Sequence, residues 1–175
     1  MRGTQTPPAQ LTSLGDEFFV AVHMADPFTA TQLGVSGFDA LIPDPSRDGA
    51  ARGARAIGRI SQRLDGIDAG QLGEADAVNH AVLAHLAWSA RSDLEHGLWE
   101  ANASAGGYVS PQAMVFQSVP TALFTDFAAV RDYLDRLRRL PGYLDAVTSR
   151  FRQASGDGRF STQVGVRQAI SQLEG

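Results

Sequence analysis

Three side chains that can bind metal ions stand close together near the middle of the chain, at Asp93, His96 and Glu100. Their spacing of i, i+3 and i+7 places them within about 60° of one another on a helix. Two carboxylates and an imidazole form a candidate cation site there, if another helix supplies a further ligand and shields it. The neighbouring Arg91 and Glu95 favour a different interpretation, in which the cluster is a solvated helix face with surface ion pairs.

The other histidines do not have the spacing of a zinc site. HExxH zinc enzymes place two histidines at i and i+4 on one helix face, with a glutamate over the bound water. His80 and His85 are separated by one residue more, which puts them about 140° apart around a helix. We therefore expect both to be partly buried, hydrogen-bonded side chains, while His23 stands alone in the sequence.

Two pairs of carboxylates, Asp65/Asp68 and Asp132/Asp135, are candidates for acid–base catalysis, which needs environments that push two pKa values apart. Arginines follow Asp132 and Asp135 at i+3 or i+4, so these two are interpreted as partners in helix-surface ion pairs. Asp65 and Asp68 fall near a helix end and a turn. Structural roles account for all four, and the sequence predicts no catalytic, cofactor-binding or metal-binding residue beyond the candidate cluster.

The composition of the 175-residue chain is that of a globular protein, with 43% hydrophobic and 19% charged residues. Its net charge of −4 argues against binding to nucleic acid or anionic membranes. Cysteine is absent, which excludes disulfides, thiolate catalysis and cysteine metal sites. The first residues lack the apolar core of a signal peptide, and the longest hydrophobic run, Phe18–Ala25, is too short to span a membrane. We therefore expect a cytoplasmic protein.

Apolar residues recur at helical spacing along most of the chain and no alternating strand pattern occurs, so the sequence predicts an all-α fold. Residues 1–12 are interpreted as a disordered lead, and residues 13–175 as a single helical domain that starts with a capping pattern at Ser13. We expect an irregular array of six to eight helices, with a break at Pro141. The predicted helices cover residues 13–25, 29–33, 50–64, 74–101, 126–140, 143–154 and 161–173.

The longest predicted helix, Glu74–Ala101, carries an apolar arc over about half of its circumference. Such a helix is wrapped by neighbours on more than one side, which predicts a central position in the array. The next segment, Ser104–Thr125, combines glycines and two prolines with many apolar residues. It is predicted to be an ordered but irregular crossing, because it is too hydrophobic to be a solvated linker.

Three groups of residues resemble the N-terminal part of a bacterial family known as domain of unknown function 885. They are Asp26-Pro27 with Ala30–Gly34, Phe38-Asp39 with Pro43-Asp44, and Tyr133–Leu137 with Pro141–Leu144. The resemblance extends, with gaps, from about Phe18 to the last residue. These groups look like helix junctions and packing residues, so the resemblance implies common descent and a common fold without implying activity.

Full-length members of that family resemble HExxH, gluzincin-like zinc peptidases, which implies zinc in a downstream catalytic half. No HExxH motif occurs in this chain, so the resemblance assigns it no catalytic residue and no cofactor. It implies the non-catalytic N-terminal portion of a larger fold, separated by truncation, a split gene or a partial gene model. The partner would be the HExxH-bearing half, or a second copy, bound through an exposed apolar face. The alternative is a free-standing helical interaction or ligand-binding module descended from the family.

Overall fold

A computed structural model describes residues 6–104 and 110–174, and in these ranges the chain is all-α, as predicted. Seven α-helices and three short 3-10 helices occur there, without a strand. The α-helices are α1 (Pro7–Ala25), α2 (Pro27–Gln32), α3 (Arg47–Asp65), α4 (Glu74–His96), α5 (Pro111–Ser118), α6 (Phe127–Gly156) and α7 (Gln163–Glu174). The 3-10 turns are Ala69–Gln71, Leu98–Ala101 and Val119–Thr121.

Contacts divide the chain into two compact units. The first unit consists of Met1–Val22 and Ala50–His96, and the second of His23–Gly49 and Gly97–Gly175. Two such units can belong to one domain, so the single domain over residues 13–175 stays a prediction.

The first helix starts earlier than the sequence pattern indicates. α1 begins at Pro7, inside the predicted disordered lead over residues 1–12, so the predicted start at Ser13 is too late. Proline suits the first turn of a helix, where its missing N–H would have no intrahelical partner. Leu11 and Leu14 are buried in the core of the first unit, and this packing favours the extra turns.

The core of the first unit is built from one face each of α1, α3 and α4. Leu14, Ile57, Leu64 and Ala87 are buried there and belong to one hydrophobic cluster. Partly buried residues pack around them, and the larger ones on α4 are Leu83 and Leu94, with Ala90 between them.

The core of the second unit forms where α2 meets α6. Phe28 lies edge-on to Tyr143, with ring centroids 5.5 Å apart, and Val147 is buried one turn further along α6. Ile42 and Met114 pack against this cluster. The second unit thus combines an irregular segment, the short helix α5 and the long helix α6 around a small aromatic core.

The predicted break at Pro141 is wrong, because α6 runs through it without interruption for 30 residues. Proline inside a helix loses one hydrogen bond to the carbonyl four residues earlier. Pro141 is exposed, and residues of α6 on both sides of it, Arg136 and Tyr143, are buried and anchor both halves of the helix. Tertiary packing therefore outweighs the missing hydrogen bond.

The helix predicted over Glu74–Ala101 is shorter than expected and is not the longest in the described chain. α4 ends at His96, because Gly97 adopts the left-handed conformation with φ of 56°. The predicted irregular crossing is also partly wrong, since α5 occupies residues 111–118 and starts with Pro111 after Ser110. Residues 105–109 of that crossing lie outside the described residues. α7 begins at Gln163, slightly later than predicted, and Thr162 rather than the predicted Ser161 caps it, accepting the Gly165 N–H at 3.2 Å.

Candidate functional site

The candidate metal cluster is divided by the end of α4. Gly97 breaks the helix between His96 and Glu100, so the helical spacing no longer applies to Glu100. The Nδ1 atom of His96 lies 2.8 Å from the Ser92 carbonyl oxygen, and Asp93 is exposed. Within residues 6–104 and 110–174, no group of three or more histidines and carboxylates could hold a metal ion.

The other candidates have structural roles where contacts are visible. His80 places Nε2 3.0 Å from the Leu64 carbonyl oxygen at the end of α3. His85 is exposed and stacks on Trp88, at 5.8 Å between ring centroids. Asp68 accepts the Gly70 N–H at 2.9 Å and thereby caps a 3-10 turn. Asp135 pairs with Arg138 at 2.6 Å, on the surface of α6.

Glu100 instead forms a buried ion pair in the second unit. Its carboxylate accepts a hydrogen bond from Nη2 of Arg150, and the two side chains are only 3% and 6% exposed. Arg159 Nη1 lies 3.8 Å from the other carboxylate oxygen, and the Trp99 ring lies 5.9 Å from the Arg150 guanidinium. Burial lowers the pKa of Arg150, and the charge of Glu100 opposes that effect.

The same pair explains the glycine at the end of α4. A Cβ atom at position 97 would overlap Oε1 of Glu100, and the left-handed backbone there also favours glycine. Among the described residues, Nε and Nη1 of Arg150 have no hydrogen-bond partner. Arg150 is therefore held by one carboxylate and one aromatic ring rather than by a full set of acceptors.

A second buried cation, Arg136, lies on α6 with 1% of its surface exposed. Its Nε donates to the Leu41 carbonyl at 2.9 Å, and its Nη1 donates to the Thr31 hydroxyl at 2.8 Å. Its Nη2 donates to the Phe38 carbonyl at 2.6 Å and to the Pro27 carbonyl at 3.3 Å. The guanidinium thus joins α6 to both ends of α2 and to the segment that follows it.

Two carboxylates compensate the charge of Arg136, although neither accepts any of the four hydrogen bonds described above. The Thr31 hydroxyl, which accepts from Arg136, donates its own hydrogen to Asp39 at 2.7 Å. Burial lowers the pKa of Arg136, and the charges of Asp39 and Asp26 oppose that effect. Asp26 also caps α2 through the Thr29 N–H, at 3.2 Å. Burial, reinforced by Asp26, raises the pKa of Tyr143.

The sequence interpretation missed this cluster and treated Arg136 as part of a surface ion pair with Asp132. One signal could have revealed it. The buried positions of α6 recur at intervals of three, four and seven residues, and Arg136 falls in the same stripe as Tyr143 and Val147. An arginine within an apolar stripe is either paired or heavily hydrogen-bonded. The three groups of residues that carry the family resemblance all contribute to this one cluster.

The most exposed apolar surface of the first unit lies on α4. Val78, Val82 and Leu86 follow one another at four-residue intervals and are 60%, 52% and 48% exposed. From residue 75 to residue 90 only Asp76 is charged, and it lies about 160° away from Val78 around the helix. We call Val78, Val82 and Leu86 the α4 face.

No helix of the described residues is long and apolar enough to cross a lipid bilayer. In the second unit, the largest exposures among large apolar side chains occur at Phe127, Leu98 and Leu123.

Comparison with curated proteins and with solved structures gives no match. A family of bacterial proteins of unknown function, DUF885, does match, over residues 27–175. The match includes α2, the segment after it, and α6, so it covers every residue that holds Arg136. It also covers most of the chain, and the protein therefore belongs to the DUF885 family.

Proposed function

We propose that the chain is a non-catalytic helical module of a larger DUF885 fold, and that it binds the HExxH-bearing half found in full-length relatives. The α4 face carries this proposal, because three large apolar side chains stand exposed on a helix face that has no charge across four turns. Exposed apolar surface of this kind marks interaction sites in soluble proteins. Wrapping of α4 on a second side would also give it the central position that its sequence predicts.

One member of the candidate metal cluster is already paired with another side chain. The best candidate ligand, Glu100, is engaged with Arg150, and no three metal-binding side chains converge among the described residues. A zinc peptidase needs three protein ligands and an open position for water. In this proposal those ligands come from the partner half, and the present chain supplies packing surface.

The test is co-expression with the HExxH-bearing half of a DUF885 relative, followed by size-exclusion chromatography and thermal unfolding. We expect a complex and a higher melting temperature, because a partner that binds only the folded state stabilises it. Val82→Glu, which buries a charge in the proposed interface, should remove both effects. Gln62→Glu is the matched control, since it adds the same charge at an exposed site on α3.

Loss of the complex with Val82→Glu but not with Gln62→Glu would support the α4 face as the docking surface. The proposal would be contradicted by a wild-type chain that unfolds as a monomer in a sharp thermal transition and does not bind the partner half. The free-standing interaction or ligand-binding module would then be the better account.

A further inference from the structure

A long irregular segment of the second unit connects α2 to α3. This segment, Val35–Ser46, contains no helix, and we call it the strap. Its backbone carbonyls lie outside the hydrogen-bond ladder of a helix, so they must accept hydrogen bonds from other donors. Two of them, at Phe38 and Leu41, accept hydrogen bonds from the single guanidinium of Arg136.

The same guanidinium also holds the helix before the strap. It donates to the Pro27 carbonyl and to the Thr31 hydroxyl, both on α2. Thr31 in turn donates to Asp39, which lies on the strap. The planar fork of an arginine presents several donors in fixed directions, and no lysine can reproduce this arrangement. Every connection made by the guanidinium leads from α6 either to α2 or to the strap.

We propose that Arg136 is a positioning residue that locks α2 and the strap into one cooperative unit on α6. When the guanidinium is lost, α2 and the strap open together while α6 remains helical. This role is independent of the α4 face, which belongs to the other unit, and it holds whether or not the chain binds a partner half.

Native-state hydrogen exchange of two backbone amides tests the lock. The Val35 N–H donates to Ala30 and the Leu41 N–H donates to Phe38, both at 2.9 Å. With Arg136→Met we expect both amides to exchange at least about tenfold faster, because hydrogen bonds to a charged group are lost. Arg138→Met is the matched control, since Arg138 is exposed on the same helix and pairs only with Asp135 in the contacts seen here.

Equal acceleration at Val35 and Leu41, with unchanged exchange in the middle of α6, would support the lock. Exchange that matches the Arg138→Met control at both amides would overturn it, and so would acceleration at only one of them. If Arg136→Met does not fold, two weaker variants remain: Thr31→Val removes the Arg136–Thr31 and Thr31–Asp39 hydrogen bonds, and Asp39→Ala removes the second of them. Each should accelerate both amides to a smaller extent. No acceleration in either variant would also overturn the proposal.

Chemical rescue separates the hydrogen-bonding role from simple packing. Millimolar ethylguanidinium should slow exchange at both amides in Arg136→Ala, because it restores the planar donor group. Ethylammonium, which has charge but no fork, should rescue much less, and Arg136→Lys should likewise recover only part of the protection. Equal rescue by the two cations would show that charge alone matters and would overturn the assigned role.

Discussion

Arg136 and Arg150 occupy the same buried stripe of α6, yet the chain solves the problem of a buried cation differently at each. Arg136 donates to three carbonyls and one hydroxyl, and the carboxylates that compensate its charge accept none of these hydrogen bonds. Arg150 pairs directly with Glu100, and two of its nitrogens have no partner among the described residues. In the first arrangement several neutral dipoles together stabilise one charge, whereas in the second a single carboxylate stabilises it.

The comparison indicates which partner each site depends on. A buried ion pair is sensitive to the loss of either member, because the other charge is then uncompensated. A cation held by backbone carbonyls has no single partner whose removal has that effect, so the arginine itself becomes the critical residue. The acceptors of Arg136 are carbonyls of other segments, and they lose their donor when the side chain is removed.

The largest effect is expected for Arg136→Met. It leaves several buried acceptors without a donor, and we expect the free energy of unfolding to fall by about 3–5 kcal/mol. Urea denaturation followed by circular dichroism measures the loss. Arg138→Met should change it by less than about 0.5 kcal/mol, because exposed pairs contribute little. A value for Arg136→Met close to that of Arg138→Met would remove the distinction between a buried hub and a surface arginine.

A smaller effect is expected for Glu100→Gln, about 2 kcal/mol, because the amide still accepts a hydrogen bond while the charge of Arg150 loses its counter-ion. The double variant Glu100→Gln/Arg150→Met should be destabilised by less than the sum of the two single variants. A double-mutant cycle in urea denaturation measures this coupling. Additive effects would mean that the pair contributes nothing as a pair, and the contrast with Arg136 would fail.

The smallest effect is expected for an exposed ion pair between an arginine and a glutamate. Its contribution to the free energy of unfolding is the lower limit in this comparison of arginines. Arg63 bonds both oxygens of Glu17, and this hydrogen bonding holds the pKa of Glu17 below its usual 4.5. Because the folded pKa is the lower one, the stabilisation is complete above pH 4.5 and is lost as the pH falls through the folded pKa. We expect a contribution of roughly 0.3 kcal/mol, since both side chains are about half exposed.

Urea denaturation between pH 6 and pH 3 checks this last prediction, with Glu17→Gln as the comparison. The two proteins should converge in relative stability as the pH falls. A gap that widens toward low pH would reverse the assigned sign.

The helical class and most helix positions could be predicted from the sequence, because the apolar period is strong and uninterrupted by strand patterns. α2, α3 and α7 fall close to their predicted ranges for this reason. Helix ends were less predictable where a tertiary contact decides them. Gly97 ends α4 partly because Glu100 occupies the space that a side chain would need, and that contact cannot be inferred from spacing.

The candidate sites were less predictable than the fold. Helical spacing alone grouped Glu100 with His96, although Glu100 is paired with Arg150, fifty residues later in the chain. Spacing likewise assigned Arg136 to Asp132, since a local pattern contains no information about carbonyls on α2 and the strap. A periodic stripe can indicate that an arginine is buried, but it does not identify the distant groups that bond to it, so a sequence alone leaves these partners open. The α4 face was expected from the wide apolar arc of its helix.

The hydrogen bonds of Arg136 also have a consequence for synthesis on the ribosome. Leu41 and Arg136 are separated by 95 residues, so the strap is made long before the side chain that completes its hydrogen bonds. At a synthesis rate of about 5–20 residues per second, roughly 5–20 s pass between the synthesis of the strap and that of Arg136. We expect α2 and the strap to be more accessible to proteases and chaperones during that interval than in the finished protein, because the guanidinium that bonds both has not yet been made.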